Sequence, residues 1–422
     1  MEQNKTAREL LDFLEQSPSP YHATANMARC LEENGFRRLE ETERWQLEPG
    51  QGYYVIRNDS ALISFRVPEG EWKGFHIVAS HSDSPCFKIK ENPEIEAEGC
   101  VKLNVERYGG MLCAPWMDRP LSVAGRVAVR ERGRVKTRLV CVDRDLLMIP
   151  NLAIHMNRQA NEGFSFNAQK DLLPLLGTEA VKGSFWKLVA EAAGVRPEEI
   201  LGHDLYLYNR QKGAVWGAGE EFLSCGRLDD LQCAFASLKG FLSGRKERWT
   251  AVHCVLDSEE VGSSTRQGAA STFLKDVLVR VNSGLGDDME TYLRRIAGSF
   301  LISSDNAHAV HPNYGEKADP VNRPRLNGGI VIKFSANGRY CTDGFTAAVM
   351  KDLCREAGVP YQVFTNRSDM AGGSTLGNLS AAQVPLATVD VGLPQLAMHS
   401  PYETAGVRDT GYLIRALEKF FA

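Results

Sequence analysis

Long apolar runs are missing from this sequence, which argues against membrane-spanning helices. No stretch approaches the roughly 20 consecutive apolar residues that a helix needs to cross a bilayer. The N-terminal residues MEQNKTAREL also lack the basic segment followed by an apolar segment that is typical of secretory leaders. The sequence therefore predicts a protein without a membrane span or a leader.

Cysteine is present, but it shows no paired arrangement. The ten cysteines are scattered along the 422 residues, with no Cys-x-x-Cys motif and no compact framework. In a long chain without a leader, this spacing indicates reduced thiols and a cytoplasmic location. It also argues against a zinc site built from thiolates.

The signature loops of several enzyme classes are absent as well. The sequence contains no Gly-x-Gly-x-x-Gly loop, no Walker loop and no Gly-x-Ser-x-Gly elbow. Nucleotide cofactors and a serine nucleophile therefore lack their usual sequence support. The formal net charge of −4 provides no general attraction for nucleic acid or for an anionic membrane surface.

Chain length and a change of pattern predict two domains. The 422 residues exceed the roughly 250–300 residues that a single core usually organises. Helical and strand patterns alternate in residues 1–93 and 217–422, whereas residues 94–216 are rich in alternating segments and Gly-Pro turns. We predict an α/β catalytic domain made of the two outer segments, with a mostly antiparallel β domain inserted between them.

Acidic residues and histidines follow several of the predicted strands. They are His81, Glu259-Glu260, Asp305 and His399, and the pair Asp229-Asp230 lies at the start of a predicted helix. In an open α/β sheet, ligands collect beyond the carboxyl ends of the strands, so residues far apart in sequence can meet there. We therefore predict that these side chains converge at one site.

Each of these residues also has a purely structural interpretation. Asp229-Asp230 can cap the following helix, Asp305 can stabilise a turn, and His399 can be a core histidine. Glu259-Glu260 can lie in a solvated loop. Their joint placement favours a cation site, because burying several carboxylates without a counter-charge is costly.

The mixture of imidazole and carboxylate groups predicts the type of metal. Such a set suits zinc, cobalt or manganese, and two ions roughly 3.5–4 Å apart can share a bridging carboxylate. In the pair Glu259-Glu260, one side chain can bind metal while its neighbour accepts a proton from the attacking water. His308 and His311 follow Asp305 closely and are alternative ligands. These residues favour a metal-dependent hydrolase.

Seven short stretches, spread over nearly the whole chain, make the sequence resemble the M18 metallopeptidases, the aspartyl aminopeptidase family. In the family's order they are SPSPYHA from Ser17, SHSDSP from Ser80, PNLAIH from Pro150, RLD from Arg227, EEVGS from Glu259, SDNAH from Ser304 and LAMHS from Leu396. The resemblance implies a zinc-exopeptidase-like mixed sheet flanked by helices, with an inserted dimerisation or lid domain. It also implies self-association as a dimer and as a tetrahedral assembly of twelve subunits.

The same resemblance implies a set of metal ligands. Asp229 would bridge two zinc ions, with His81 and Asp305 completing one metal site. Glu260 and His399 would complete the other. The implied activity is removal of N-terminal residues from peptides, with a preference for Asp or Glu.

Four further residues receive roles from the resemblance. Glu259 would be the general base, and Asp83 would orient the His81 ring. His155 would reach the active site of a neighbouring subunit, and Lys333 would meet an acidic substrate side chain.

The sequence departs from the family pattern near the predicted substrate pocket. The stretch Cys341-Thr342-Asp343-Gly344 adds an acid close to that pocket. The stretch Ser400-Pro401-Tyr402-Glu403 lacks the arginine that is common after the final histidine. Both departures argue against a strict preference for acidic substrates.

Two other functions are compatible with the same residues. A deacylase or an endopeptidase could use the same metal pair, and a catalytically silent scaffold could retain the family's assembly. A substrate with a blocked N-terminus distinguishes the first alternative, because an aminopeptidase needs a free α-amine. The intact pair of glutamates and the complete ligand set argue against the scaffold.

Overall fold

The computed structural model describes residues 2–244 and 248–422. The helices are α1 (Glu2–Glu15), α2 (Pro20–Glu33), α3 (Ala168–Asp171), α4 (Phe185–Ala193), α5 (Leu228–Ser243), α6 (Phe273–Gly284), α7 (Met289–Ala297), α8 (Gly344–Glu356), α9 (Leu376–Gln383) and α10 (Asp409–Phe420). The first ten strands are β1 (Arg37–Arg38), β2 (Gly52–Arg57), β3 (Ala61–Arg66), β4 (Phe75–His81), β5 (Cys86–Ala97), β6 (Cys100–Tyr108), β7 (Leu121–Glu131), β8 (Arg134–Cys141), β9 (Leu175–Thr178) and β10 (Ile200–Asn209). The remaining strands are β11 (Ala214–Trp216), β12 (Phe222–Cys225), β13 (Thr250–Leu256), β14 (Phe300–Ser304), β15 (Ala307–His308), β16 (Ile330–Phe334), β17 (Tyr361–Thr365), β18 (Ala387–Gly392), β19 (Pro394–Leu396) and β20 (Glu403–Gly406).

A mixed sheet of nine strands organises the larger part of the chain, in the order β1-β2-β3-β13-β4-β14-β18-β16-β17. The four central strands β13, β4, β14 and β18 are parallel. Strand β3 is antiparallel to β13, and β16 is antiparallel to β18. Every residue of β13 and β14 is buried, as expected for strands that are covered on both faces. The predicted α/β class with a mixed sheet is confirmed.

Helices cover both faces of this sheet and form two separate cores. On one face α5 packs against α10 and β4, and the core there includes Leu10, Leu31, Phe241 and Leu417. The core on the other face includes Phe65, Phe273, Leu278 and Ile296. The sheet is therefore held rigidly between two apolar layers, which is what positions residues at its edge.

The register of the central strands brings their carboxyl ends to one level. His81 at the end of β4 is paired with Leu256 at the end of β13. On the other side, Ala79 of β4 is paired with Ser303 of β14. Residues that directly follow β4, β13 and β14 therefore emerge at the same edge of the sheet, as the sequence pattern predicted.

A second, antiparallel sheet of six strands has the order β8-β7-β10-β5-β6-β9. It has its own core, which includes Phe87, Trp116, Phe185 and Leu207. This sheet spans β5 to β10, so the predicted boundary after residue 93 lies inside β5. We still propose residues 94–216 as the inserted domain, although this boundary divides β5 between the two domains.

A third sheet has five strands in the order β11-β12-β20-β19-β15. His399 follows β19, and Glu403 is the first residue of β20. None of the helices in residues 2–244 and 248–422 is long and apolar enough to cross a membrane.

Candidate metal centre

His81 lies at the carboxyl end of β4, in the middle of the nine-stranded sheet. Its side chain is 1% exposed, and its Nδ1 lies 3.1 Å from the backbone oxygen of Asp83 and 3.4 Å from the Asp83 carboxylate. The His81 backbone N–H donates a hydrogen bond to Asp230. These contacts fix the ring and leave Nε2 facing Asp229, whose Oδ1 is 3.4 Å away.

Asp229 lies between the two predicted histidine ligands, in the first turn of α5. Its Oδ1 faces His81, and its Oδ2 lies 3.7 Å from Nε2 of His399. The Asp229 backbone N–H donates to Glu403 at 3.1 Å, and its backbone oxygen accepts from the Ser84 hydroxyl at 2.7 Å. One carboxylate therefore faces both imidazoles, as a ligand shared by two ions must.

The two adjacent glutamates lie in one 3₁₀ turn that follows β13. The backbone N–H groups of Glu259 and Glu260 donate to the Asp83 carboxylate at 3.1 and 3.2 Å. The Tyr108 hydroxyl donates to the same carboxylate at 2.8 Å. Asp83 is 1% exposed and thus connects the His81 ring to the turn that carries both glutamates.

Glu260 forms a second group of potential ligands with His399 and Asp229. Its Oε2 lies 3.4 Å from Nε2 of His399, and its side chain is 4% exposed. The loop after β6 approaches from the second sheet: Gly109 has φ +75°, and a Cβ there would lie 3.1 Å from the Cβ of Glu260. Glycine is the residue that best tolerates this conformation and this close approach.

Asp305 follows β14 and lies beside a buried lysine. Lys333 in β16 is 2% exposed, and its Nζ lies 3.6 Å from Oδ1 of Asp305. The same Nζ donates to the backbone oxygen of Asn306 at 2.9 Å. Burial alone would lower the pKa of Lys333, but the Asp305 carboxylate raises it above its ordinary value. The neighbouring carboxylate therefore favours the charged form of Lys333.

Three groups of side chains have potential ligand atoms within 4.8 Å of one another. They are His81 with Asp229, Asp230 and Asp305; His81 with Glu259 and Glu260; and Asp229 with Glu260 and His399. The structure therefore brings together the predicted ligands His81, Asp229, Glu260, Asp305 and His399, with Glu259 beside them. Asp230 is an additional member, but its two oxygens accept from the backbone N–H groups of His81 and Asn306 at 3.1 and 3.2 Å. Those bonds make it a support for the site.

The donor set fits divalent cations. The carboxyl groups that meet here belong to Asp83, Asp229, Asp230, Glu259, Glu260, Asp305 and Glu403. Two buried carboxylate oxygens, Asp229 Oδ1 and Glu260 Oε1, have no hydrogen-bond partner. Unsatisfied buried oxygens in a negative cluster are costly, and a bound cation would satisfy both of them. Carboxylate oxygen with imidazole nitrogen is a ligand set that zinc accepts.

Without a cation, the carboxylates shift one another's protonation. Burial is the main cause that raises the pKa of Glu259, to about 8; the His81 charge opposes this, and the Asp305 and Asp83 carboxylates add to it. Burial also raises the pKa of Glu260, with the Asp229 charge contributing. Because metal ligands must be deprotonated, a bound cation would oppose these upward shifts of the pKa.

Three sequence-predicted residues, His308, His311 and His155, lie apart from these groups or at their margin. All members of these groups except Asp230, together with Lys333, Tyr340 and Thr375, line one cleft of about 680 Å³. His308 also lines this cleft, whereas His311 lines the adjoining cavity, and neither belongs to a potential ligand group among the described residues. His155 is exposed in the segment before β9 and does not line the cleft of its own chain.

The acid that departs from the family pattern does not face the cleft. Asp343 caps α8, where its carboxylate accepts from the Thr346 backbone N–H at 2.8 Å. Cys341 and Thr342 instead contact Asp390, a fully buried carboxylate at the sheet edge. The additional acid therefore has a structural role at the start of a helix.

Sequence reasoning missed two residues that hold the site together. Glu403 is 1% exposed and accepts backbone N–H bonds from both Asp229 and His399. Its sequence signal was an acid four residues after a candidate ligand, at the start of a strand. Tyr108 had no signal, because it reaches Asp83 from a strand of the other sheet.

A mixed sheet flanked by helices, with two imidazoles and several buried carboxylates gathered at its carboxyl edge, places the protein among the metal-dependent hydrolases. Residues 13–421 match the family described as aminopeptidase I zinc metalloprotease (M18). The chain belongs to this family and is a metallo-aminopeptidase. The family membership that the sequence motifs predicted is confirmed.

Similar proteins cover nearly the whole chain. A probable M18 family aminopeptidase 2 of Clostridium acetobutylicum is 46% identical, over 98% of each chain. A chain in a cryo-EM structure of the Ape4 and Nbr1 complex superposes with a TM-score of 0.96 at 38% identity, over all of this chain and 86% of that chain. The mApe1 dodecamer of S. cerevisiae gives a TM-score of 0.87 at 30% identity, over 98% of this chain and 96% of that chain.

Proposed function

We propose that this aminopeptidase uses two divalent ions. The proposed metal is zinc, and cobalt or manganese are the alternatives. One ion would be held by His81, Asp305 and Asp229, and the other by Glu260, His399 and Asp229. The observation that carries this proposal is the position of Asp229, whose two oxygens lie 3.4 and 3.7 Å from the two imidazoles. When bound, the ions would acidify a water molecule and polarise the scissile carbonyl group.

Glu259 is the general base in this proposal. It belongs to the potential ligand group of His81 and Glu260 but not to the group that Asp229 forms with Glu260 and His399, and we assign its carboxylate to the attacking water. It would accept a proton from that water and deliver it to the leaving amine. The bound cations would lower its pKa below the value of about 8 that burial sets in their absence, so that it is ionised at neutral pH.

Asp83 is a positioning residue for this chemistry. It contacts the His81 ring and accepts hydrogen bonds from the backbone of both glutamates. A carboxylate behind a ligating histidine fixes the ring's orientation and raises its basicity. Asp83 therefore links the geometry of one ligand to that of the base.

Replacing Glu259 tests the mechanism separately from metal binding. Glu259→Gln should lower kcat by about 10²- to 10⁴-fold, because it removes proton transfer. Its metal content, measured by elemental analysis, should stay at two ions per chain. Glu290→Gln, an exposed change in α7, is a matched control that should keep full activity. Retained turnover in Glu259→Gln would remove this residue from the mechanism, and one ion per chain would remove the metal pair.

The proposed substrates are peptides with N-terminal Asp or Glu. Lys333 lines the cleft together with Tyr340 and Thr375, and its ammonium group is buried. A buried cation attracts a substrate carboxylate more strongly than an exposed one does, because water screens it less. Asp343 caps α8 outside the cleft lining and so does not oppose that attraction nearby.

The proposal includes self-association, as a dimer and as a dodecamer. The similar mApe1 of S. cerevisiae is a dodecamer. In this chain, large apolar side chains are exposed around His155: Met148, Leu152, Ile154, Met156 and Phe164. Exposed apolar clusters of this kind favour a protein partner. In the proposed assembly His155 acts in the cleft of a neighbouring subunit.

We also propose a cytoplasmic location. All ten cysteines have free thiols in the structure, as expected in a reducing compartment. Cell fractionation with an antibody against the protein would test this proposal.

A further inference from the structure

Asp390 is a fully buried carboxylate in β18, next to the strand that carries Lys333. Strands β18 and β16 are adjacent, with Val391 opposite Ile332, and Asp390 is 0% exposed. Burial lowers the pKa of Lys333, whereas the Asp305 carboxylate raises it most and the Asp390 carboxylate adds to that rise. Among the described residues, Asp390 belongs to none of the groups of potential metal ligands. Its burial near the cleft therefore calls for another explanation.

The two oxygens of this carboxylate bind two different loops. Oδ2 accepts a hydrogen bond from the backbone N–H of Cys341 at 2.5 Å, and Oδ1 accepts one from the hydroxyl of Thr375 at 2.6 Å. Cys341 lies in the loop 335–343 between β16 and α8, and Thr375 ends the loop 366–375 before α9. Hydrogen bonds to an ionised carboxylate are short and strong. One buried side chain therefore ties these two loops to the central sheet.

Both loops form walls of the cleft. Tyr340 and Thr375 line it together with Lys333, and the Lys333 Nζ lies 5.4 Å from the centre of the Tyr340 ring. The Tyr340 loop has a second link to the same residue, because Thr342 Oγ1 accepts from the backbone N–H of Asp390 at 2.9 Å. We call the space between Lys333, Tyr340 and Thr375 the Lys333 pocket. Asp390 thus contacts the loops that carry two of its three walls.

The start of α9 is also packed closely against the carboxylate. A Cβ at Gly377 would lie 2.5 Å from Oδ1 of Asp390 and 2.8 Å from Oγ of Ser303. Only glycine allows so close an approach of the backbone. The wall that ends at Thr375 is therefore held in place by packing as well as by a hydrogen bond.

We propose that Asp390 is a positioning residue for substrate selection, because it sets the separation of the Tyr340 and Thr375 walls and thereby the length of the side chain that the Lys333 pocket accepts. This inference rests on the proposed function, since it takes the Lys333 pocket as the site of the substrate's N-terminal side chain. Closely held walls favour the shorter of two related side chains. Asp is one methylene shorter than Glu, so the intact links favour Asp.

Four substrates with the same leaving group and with N-terminal Asp, Glu, Asn or Gln test this inference on the metal-loaded enzyme. Asp390→Ala removes both carboxylate bonds and should shift the ratio of kcat/KM for Glu over Asp about tenfold towards Glu, within the range that one methylene contributes to discrimination. The Gln/Asn ratio should shift equally, because the variant changes the space in the pocket for charged and neutral side chains alike.

Three further variants separate the links from other effects. Thr342→Val keeps the side-chain shape but loses the acceptor for the Asp390 N–H, and Thr342 is not among the residues that line the cleft. It should shift both ratios in the same direction, and it carries the test if Asp390→Ala does not fold. Asp390→Asn can accept from Cys341 and donate to the Thr375 hydroxyl, so it should retain the wild-type ratios. Thr388→Val is the matched control in β18; it removes a hydroxyl that donates to Leu386 at 3.0 Å, and it should change neither ratio.

The remaining outcomes overturn the inference. Unchanged ratios in Asp390→Ala and Thr342→Val would show that the links do not set the pocket length. A shift of Glu/Asp alone that Asp390→Asn shares would assign Asp390 to the charge of Lys333 instead. An equal loss for all four substrates, with a lower metal content, would assign it to support of the metal centre. A wild type that prefers Leu to Asp would refute the acidic preference but leave both length ratios readable, so the two proposals can fail separately.

Discussion

Glu403 accepts a hydrogen bond from the backbone N–H of His399 at 2.7 Å through one carboxylate oxygen, while its other oxygen accepts from the backbone of Asp229 at 3.1 Å. One buried side chain thus sets the distance between two metal-ligand candidates that lie 170 positions apart in sequence (399 − 229 = 170). Because this link holds two potential ligands of one ion in place, less conformational entropy would be lost when the ion binds.

Glu403→Gln should weaken metal retention. A glutamine offers one acceptor, and its NH2 group would face a backbone N–H, so either Asp229 or His399 loses its restraint. Changes in residues that orient ligands typically cost 10- to 100-fold in metal affinity. Metal content after dialysis against graded chelator should fall accordingly, and excess zinc should restore kcat. Tyr402→Phe removes a neighbouring hydroxyl that donates to Lys212, and it should leave metal affinity unchanged. Equal affinity in Glu403→Gln and the wild type would contradict the positioning role.

The sequence alone was enough to predict the site residues that follow the ends of strands. His81, Glu259-Glu260 and Asp305 each follow an apolar run, and parallel strands in register bring such positions to one edge. The roles of Glu403 and Tyr108 could not be read from the sequence in the same way. Both arise where a strand of another sheet reaches the central one, and single-sequence patterns carry no information about that contact.

Lys333→Met should change which substrates are cleaved. If the ammonium group meets an acidic side chain, kcat/KM for Asp-peptides should fall at least tenfold relative to Leu-peptides, since a buried charge interaction is lost. The competing role is support of Asp305, which lies 3.6 Å from Nζ. In that case kcat/KM would fall equally for both substrates, and the metal content would fall as well. Lys317→Met, in the adjoining cavity, is a control that should leave the Asp/Leu ratio unchanged.

His253 should make the fold sensitive to acid. It lies in β13 at 0% exposure, 3.3 Å from the Ser64 hydroxyl, and burial lowers its pKa from 6.5 to about 4. Because the folded pKa lies below the unfolded one, the stabilisation is complete above pH 6.5 and is lost as the pH falls towards 4. The difference corresponds to about 3 kcal/mol at full protonation.

Urea unfolding of the metal-free protein at pH 7.5 and pH 4.5 measures this contribution. His253→Gln should lose less stability between the two pH values than the wild type, by about 2–3 kcal/mol. His311→Gln, a change outside the buried sheet, should follow the wild type. Parallel curves for the wild type and His253→Gln would show that this ring does not cause the acid sensitivity.

His155 provides a test of catalysis across subunits. It is exposed and lies outside the cleft of its own chain, so any catalytic role requires a neighbour. Glu259→Gln and His155→Gln should each be inactive alone, because one lacks the base and the other lacks the residue donated in trans. When the two variants are assembled into mixed oligomers, some clefts combine an intact Glu259 with an intact His155 from the adjoining subunit. Activity should therefore return to about a quarter of the wild-type rate if pairing is random, since half of the clefts carry Glu259 and half of their neighbours carry His155. Mixtures that stay inactive while light scattering shows mixed oligomers would exclude the donation, and full activity of His155→Gln alone would show that the residue is not needed.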